Sequence, residues 1–314
     1  MTNRIVYLIS VYKDPVHLQR LVSALSYGVE EYVSFFVHVD AKVDESAFRQ
    51  SCKKTNVFFT QNRFWVQWGG YSQVMYQKEL LRCAFETEKG QDNFSRFVII
   101  TGQDYPILSN IQMFDWYNNH PKQQILSGVN LMQNFPEDYH LFMVYHFFRD
   151  THFKKYLYQR IASAVSRKVM RLVPLRKHPY LQIDGEKWDV WKSSSSYMCL
   201  THDCAQYVLE MMERKDICDY FLHSFVPEEM MIPTVVFNSK WKSEAIEVQR
   251  SDYLGLISIS MLEEFEYGQE IKVYNEDDLE YLLSCGNFFC RKVQTGLSDK
   301  LMDMLDVIHL CPVK

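Results

Sequence analysis

The sequence has no run of about 18 apolar residues, so it offers no candidate for a membrane-spanning helix. The apolar run near the N-terminus, residues 5–9, is short and lacks a small-residue cleavage site, which predicts a first β-strand rather than a signal peptide. The eight cysteines form no C-x-x-C pair, so we expect reduced thiols rather than disulfides or a metal site. These features together predict a cytoplasmic protein.

Two nucleotide-binding signatures are also missing. The sequence contains neither G-x-G-x-x-G nor a P-loop, which excludes the common dinucleotide-binding and P-loop classes. The formal net charge is −5, which argues against nucleic acid as a partner.

What is present points to a packed α/β protein. Apolar residues make up 47% of the chain and charged residues 23%, enough for a large core. Strand-like runs at residues 5–9, 35–39, 57–59 and 97–100 alternate with helix-like segments. One helix is predicted to begin at Asp14-Pro15, an N-cap followed by an N1 proline, and another to run from about Tyr71 to Glu86. This alternation predicts a doubly wound, mainly parallel sheet with flanking helices. No linker divides the chain, so we expect one domain over residues 1–314, with an insertion at about 130–185.

Two aspartates follow strands of the predicted sheet. Asp40 comes after the second strand, and Asp104 after the fourth. Ligands of doubly wound sheets bind beyond the carboxyl ends of the strands. The sequence therefore places a ligand site at this edge.

Residues 151–183 differ from the rest because they contain eight lysines and arginines and no acidic residue. Apolar residues recur there at steps of three and four, which predicts a basic amphipathic helix ending near Pro174. Such a helix is either an ordinary solvated face or a docking surface, through residues 154–177, for anionic membrane or a lipid-phosphate-linked acceptor.

Several segments, in order, resemble the core-2/I-branching β-1,6-N-acetylglucosaminyltransferase family, glycosyltransferase family 14, and its bacterial members in particular. The segments are Y-L-I-S-V-Y-K-D-P from Tyr7, V-H-V-D-A-K from Val37, Arg63 with W-G-G-Y-S from Trp68, T-G-Q-D-Y-P-I from Thr101, S-S-S-S-Y from Ser193, P-E-E from Pro227 and F-F-C-R-K-V from Phe288. The departures are Tyr12, Ser194, Cys290 and Val293, which put the subtype in doubt more than the family. The resemblance implies a GT-A-like fold and an inverting transfer from a UDP-sugar.

The resemblance implies a role for Glu229, which aligns with the catalytic glutamate of the family. An inverting transferase needs one general base to take the proton of the attacking hydroxyl. Spacing alone also allows a different reading, in which Glu228 and Glu229 only favour the N-terminus of the following helix.

Positive charge must balance the leaving diphosphate. The loop Gly102-Gln103-Asp104 has one carboxylate where many such transferases have D-x-D, so we expect no cofactor and no divalent metal. The resemblance implies that Lys292, with Arg291 beside it, takes this role. The alternatives are that both are ordinary exposed basic residues and that Lys272 supplies a second cation.

The remaining site residues are candidates because of their positions at the predicted strand ends and beside the serine run. For donor and nucleotide binding we expect Ser10, Tyr12, Asp40, Arg63, Trp68, Gly69 and Asp104. Asp104 could instead only cap its loop. For the acceptor we expect Trp188 and Trp191 to stack on a sugar, with Ser195 beside them.

The resulting hypothesis is transfer of N-acetylglucosamine from UDP to the hydroxyl of a glycan or lipid-linked glycan, at the inner face of the membrane. The alternatives are a non-catalytic module that binds glycans or nucleotide sugars, a transferase using UDP-xylose or UDP-glucuronic acid, and a nucleotidyltransferase. The missing D-x-D and P-loop argue against the last.

Overall fold

The computed structural model describes residues 4–87, 94–134, 142, 144–151, 156–172, 177–193, 195–249, 260–266, 268 and 270–310. Pro174 and Ser194 lie outside this part, as do Cys311 of the eight cysteines and Lys154, Lys155 and Arg176 of the basic segment. All seven cysteines within it are free thiols. No helix in the described ranges has both the length and the apolar character needed to cross a bilayer.

The central sheet is mainly parallel, as the sequence predicts. Its strands are β1 (Arg4–Val11), β2 (Val33–Val39), β3 (Val57–Phe59), β4 (Phe94–Thr101) and β10 (Met198–Thr201). The order is β10-β4-β1-β2-β3, and only β10 runs antiparallel, pairing Met198 with Ile99. Because β1 and β4 are central and rich in branched apolar residues, they are buried on both faces.

Smaller sheets surround this centre. The other strands are β5 (Asp104–Pro106), β6 (Ser127–Asn130), β7 (Tyr180–Ile183), β8 (Glu186–Asp189), β9 (Trp191–Lys192), β11 (Ile246–Glu247), β12 (Glu263–Glu264) and β13 (Phe289–Arg291). They form the sheets β11-β6-β9, β12-β13-β5 and β7-β8. The pairing of β13 with β5 sets Arg291 opposite Asp104.

Helices cover both faces of the central sheet. In chain order, the described α-helices are α1 (Pro15–Ser26), α2 (Ser46–Ser51), α3 (Ser72–Thr87), α4 (Asn110–Asn119), α5 (Leu131–Asn134), α6 (Tyr156–Leu172), α7 (His202–Glu213), α8 (Lys215–Phe221), α9 (Met231–Phe237), α10 (Leu279–Ser284) and α11 (Asp299–Leu310). The 3₁₀ helices are Glu30–Tyr32, Pro227–Glu229, Lys240–Glu244 and Glu276–Asp278. The predicted start of α1 is confirmed, because the Asp14 carboxylate accepts a hydrogen bond from the His17 backbone N–H.

The core has two halves, one on each face of the sheet. Side chains alternate between the faces of a strand, so Val6 and Leu8 of β1 pack with α3, α7 and α9. Ile5 and Ile9 point the other way and pack with α1 and α11. The two helical layers leave the carboxyl ends of β1 and β4 as the edge at which the candidate site lies.

Candidate active site

A small cavity opens where β1 and β4 end side by side. Its volume is about 40 Å³, and Ser10, Tyr12, Lys13, Gln103 and Arg291 are among the residues that line it. The Tyr12 hydroxyl donates to Gln103 Oε1 over 3.1 Å, which ties the two strand-end loops together. A volume of this size is close to that of one water molecule, so a nucleotide would lie across the opening rather than inside it.

The two loops also approach each other through their backbones. The Gly102 N–H donates to the Ser10 carbonyl over 2.9 Å. A Cβ at residue 102 would lie 2.6 Å from the Val11 side chain, so only glycine permits this approach.

Asp104 lies beneath this cavity and does not face it. Its side chain is 0% exposed. The carboxylate accepts from the Thr101 N–H over 2.6 Å and from Arg291 Nη1 over 2.9 Å. The expectation that Asp104 contacts the donor is therefore wrong, and of the two roles considered the loop cap is the one found. The sequence could not show this, because Arg291 comes opposite Asp104 only through the pairing of β13 with β5.

Glu263 of β12 lies in the same buried cluster. Burial raises the pKa of Glu263 well above its usual range, and the neighbouring Asp104 carboxylate raises it further. The raised pKa favours the neutral form of Glu263, and the ion pair of Arg291 is with Asp104. Arg291 also lies over the Tyr197 ring, 4.6 Å from its centroid.

Two lysines next to this cluster lie close to other cations, and the Glu270 carboxylate offsets their effect on Lys292 only in part. Burial lowers the pKa of Lys292, and the positive charges of Arg291 and Lys13 lower it further. Lys13 lies over the Tyr12 ring. Within the described ranges neither lysine has an ion-pair partner. Mutual repulsion of this kind is relieved when an anion binds. Our reading of the sequence missed Lys13, although its place in the first strand-to-helix turn could have suggested it.

The third basic residue considered, Lys272, is already paired. Its ammonium lies 2.7 Å from an Asp278 carboxylate oxygen and 3.4 Å from one of Glu266. Those two carboxylates already balance its charge, so Lys272 is not a second free cation.

The 3₁₀ helix Pro227–Glu229 presents two adjacent carboxyls in different surroundings. The Glu229 side chain is 19% exposed, and its Oε2 accepts from Lys192 Nζ over 2.6 Å. The Glu229 Oε1 atom accepts no hydrogen bond from the described part of the chain. Lys192 Nζ also donates to the Ser193 carbonyl over 2.8 Å. Sequence reasoning missed Lys192, because only the fold brings it to residue 229.

Glu228, by contrast, points into the protein and is 3% exposed. The Gln73 side-chain amide donates to its Oε1 atom. Burial raises the pKa of Glu228 well above its usual range, and the Glu229 carboxyl adds to the rise. These surroundings favour the neutral form of Glu228, which lies inside the protein. Neighbouring carboxyls whose surroundings differ in this way take different chemical roles.

One segment connects the glutamate to the cations. The Ser193 N–H donates to the Glu229 carbonyl over 2.7 Å, and a few residues later Tyr197 lies under Arg291. Between them, the Ser196 carbonyl accepts from Gln77 of α3 over 3.2 Å.

Tyr76, also on α3, lies between the same groups. Burial raises the pKa of Tyr76, and a hydrogen bond with Ser10 lowers it. The nearby Glu228 raises this pKa further, whereas Arg291 lowers it. Tyr76 is thus close enough to both Glu228 and Arg291 for each of them to act on its pKa.

Arg63 and Asp40 brace the end of β2. The Arg63 guanidinium donates to the carbonyls of Val39 and Asp40, both over 2.9 Å. The Asp40 carboxylate accepts from the Lys42 N–H over 2.9 Å and is almost fully buried. Both residues therefore shape the loop next to the cavity.

The loop at residues 68–72 projects into solvent. Trp68 is 72% exposed and meets Phe225 edge-on. Gly69 has a φ of +68°, which favours glycine. Ser72 Oγ donates to the Asp150 carboxylate over 2.5 Å and so fixes the end of the loop.

The acceptor residues predicted from the sequence are not exposed. Trp188 and Trp191 belong to the core, and Trp191 stacks on Phe237 with the ring centroids 4.5 Å apart. Ser195 is also buried. The prediction that the two tryptophans stack on a sugar is wrong, because both rings are buried in the core, that of Trp191 against Phe237 of α9. Sequence alone does not show which face of such short strands is covered.

Replacing Trp191 should therefore affect stability rather than acceptor binding. We expect Trp191→Ala to lower the free energy of unfolding by about 3–5 kcal/mol in chemical denaturation. The matched variant Trp68→Ala, at an exposed ring, should change it by less than about 0.5 kcal/mol. A fully stable Trp191→Ala protein with a raised KM for the acceptor would contradict this placement.

In the described ranges, no three His, Cys, Asp or Glu side chains are grouped so that they could hold a metal ion.

Comparison with known proteins agrees with this architecture. The model of the "Core-2/I-Branching enzyme" family matches residues 5–251, and the chain is a glycosyltransferase. It belongs to the core-2/I-branching enzyme family. The human protein named "N-acetyllactosaminide beta-1,6-N-acetylglucosaminyl-transferase" is 20% identical over 323 residues, covering 96% of this chain and 71% of that protein.

Two solved structures are similar at a low level. One is 4-diphosphocytidyl-2C-methyl-D-erythritol synthase from Anaerococcus prevotii, with 11% identity, a TM-score of 0.36, and coverage of 90% of this chain and 96% of that one. The other is apo mouse xyloside xylosyltransferase 1, with 12% identity, a TM-score of 0.34, and coverage of 92% and 96%. Scores this low carry no argument about this chain.

Proposed function

We propose that this enzyme transfers N-acetylglucosamine from a UDP donor to a glycan hydroxyl with inversion at the anomeric carbon and without a divalent metal. The name of the human relative supports the choice of sugar. The observation that carries the proposal is the set of contacts from Glu229 to Arg291, which connects one partly exposed carboxylate to two lysines that form no ion pair in the described ranges.

In the proposed reaction, the acceptor oxygen attacks the anomeric carbon and forms the new glycosidic bond as the bond to the diphosphate breaks. Glu229 Oε1 takes the proton of the acceptor hydroxyl, and the electron pair of the broken bond leaves with UDP. Attack from the side opposite the leaving group converts an α-linked donor into a β-linked product. A single general base is enough, because the diphosphate leaves without being protonated.

Lys192 positions this base. Its ammonium binds Glu229 Oε2 and the Ser193 carbonyl, which fixes the carboxylate and leaves Oε1 for the acceptor. Glu228 is a poor substitute for Glu229 in this role, because it is buried and its raised pKa favours the protonated form. The alternative that both glutamates only favour a helix N-terminus does not account for the buried lysine paired with one of them.

Lys13 and Lys292 supply the charge that the diphosphate needs. Fixed cations aimed at developing negative charge stabilise a leaving group as a metal ion would. The one carboxylate of the Gly102–Asp104 loop is saturated by Thr101 and Arg291, so it has little left to offer a metal. These contacts support a metal-independent reaction.

Release of UDP from UDP-sugars tests the proposal. We expect UDP release that depends on an added glycan acceptor, highest with UDP-N-acetylglucosamine, and changed by less than about twofold in EDTA. Release only from UDP-xylose or UDP-glucuronic acid would show that one of these, and not UDP-N-acetylglucosamine, is the donor. Activity that vanishes in EDTA and returns with manganese would refute the metal-free mechanism, and donor binding without any release would identify a non-catalytic module.

A further inference from the structure

Helix α6 exposes apolar side chains that an ordinary surface helix would turn toward the core. Leu157, Ile161, Val165 and Val169 follow at steps of four, and with Tyr158 they are 44–59% exposed. Ser166, in contrast, is buried. Because residues four apart share one side of a helix, the apolar stripe faces outward and a polar residue faces the protein.

The stripe borders a groove with a volume of about 680 Å³. Phe147 and Phe148 form its opposite wall, and apart from Ser166 and the hydroxyl of Tyr158 the side chains that line it are apolar. Phe148 is itself half-exposed. Monomeric proteins rarely leave such a patch uncovered, and it marks a surface that binds another apolar body.

The charge of this region indicates which body that is. Residues 151–183 contribute a formal +8 to a chain whose formal net charge is −5, so the remaining residues carry −13. Lys177 adds little of this charge to the surface, because it is buried and burial lowers its pKa to about 7. Arg160 and Lys168 of α6 are exposed beside the apolar stripe. An apolar stripe flanked by basic residues is the pattern of a helix that lies in the interface of an anionic bilayer.

A second copy of the chain fits this face less well. A symmetric dimer places the same patch on both sides of its interface, so Arg160 and Lys168 of both copies would meet. Like charges brought together in this way repel, whereas anionic lipid headgroups attract them.

We propose that α6 docks the enzyme on an anionic lipid bilayer, with its apolar stripe and Phe148 in the acyl-chain boundary and Arg160 and Lys168 at the headgroups. Helix α6 has 17 residues, which gives a contact about 25 Å long. This inference does not depend on the proposed reaction, because it rests on a surface formed by other residues.

Vesicle co-sedimentation tests the proposal. We expect the full-length protein to sediment with vesicles of equal parts phosphatidylcholine and phosphatidylglycerol, less so at high salt, and not with phosphatidylcholine alone. Arg160→Gln and Lys168→Gln should each lower the association constant about fivefold. Ile161→Asp should lower it by about tenfold or more, because it places a charge at the apolar boundary.

Matched controls separate this contact from general effects of charge and exposure. Ile111→Asp changes an equally exposed isoleucine of α4, and Lys300→Gln an exposed lysine of α11, and both should bind vesicles as the unchanged protein does. Equal binding to neutral and anionic vesicles, or no binding to either, would overturn the proposal. A dimer that forms without lipid and dissociates in the Ile161→Asp variant would assign the face to a second copy instead.

Discussion

Glu229→Gln is expected to lower kcat by about 10²–10⁴-fold, because glutamine keeps the shape of the side chain but cannot accept the acceptor proton. We expect kcat and kcat/KM to fall by the same factor, since the substitution removes an interaction made only in the transition state. Initial rates of acceptor-dependent UDP release measure it.

The neighbouring glutamate provides the matched control. Glu228 is buried and its raised pKa favours the neutral form, and glutamine keeps an oxygen that can accept from the Gln73 amide. We therefore expect Glu228→Gln to keep kcat within about tenfold of the unchanged enzyme. If Glu228→Gln is inactive and Glu229→Gln turns over normally, the general base has been assigned to the wrong carboxyl.

Removing Lys13 or Lys292 should mainly lower kcat/KM for the UDP-sugar donor. Lys292→Ala and Lys13→Ala are each expected to lower kcat/KM for the UDP-sugar by about 10–100-fold, the usual value of a hydrogen bond to a charged group. Lys300→Ala, at an exposed lysine paired with Glu276, should leave it unchanged. Equal effects of all three substitutions would indicate a general effect of net charge.

The same lysines give the pH dependence a definite sign. A lysine binds the diphosphate only while protonated, so donor affinity is present below its pKa and falls as the pH rises through it. Burial, Arg291 and Lys13 lower the pKa of Lys292, so in the free enzyme this loss begins at a lower pH than for an ordinary lysine. In Lys292→Ala this part of the pH profile of kcat/KM should disappear.

Local patterns in the sequence predicted the elements that frame the site. The Asp14-Pro15 start of α1, the buried strand β2 and the helix α3 all form close to where periodicity placed them, because their signals come from residues near in the chain. The alternation of strands and helices also predicted the edge of the sheet at which the candidate site lies, and the position of Asp40 after β2.

Contacts between distant parts of the chain could not be predicted in this way. Asp104 and Arg291 are 187 residues apart and meet through β5 and β13, and this pairing buries the aspartate. Lys192 reaches Glu229 because Ser193 pairs with the backbone of the 3₁₀ helix. Trp191 points inward because of how β9 packs against α9. Each of these depends on which face of a short strand is covered, and a strand of two or three residues has too few positions to show a pattern.

The most direct test of the central claim is calorimetric titration of UDP, in EDTA, into the unchanged enzyme and into the Glu229→Gln and Lys292→Ala variants. The account predicts that UDP binds the first two with similar Kd and binds Lys292→Ala at least about tenfold more weakly, because the lysine holds the diphosphate and the glutamate does not. Binding that requires an added metal, or that is lost in Glu229→Gln and kept in Lys292→Ala, would contradict it.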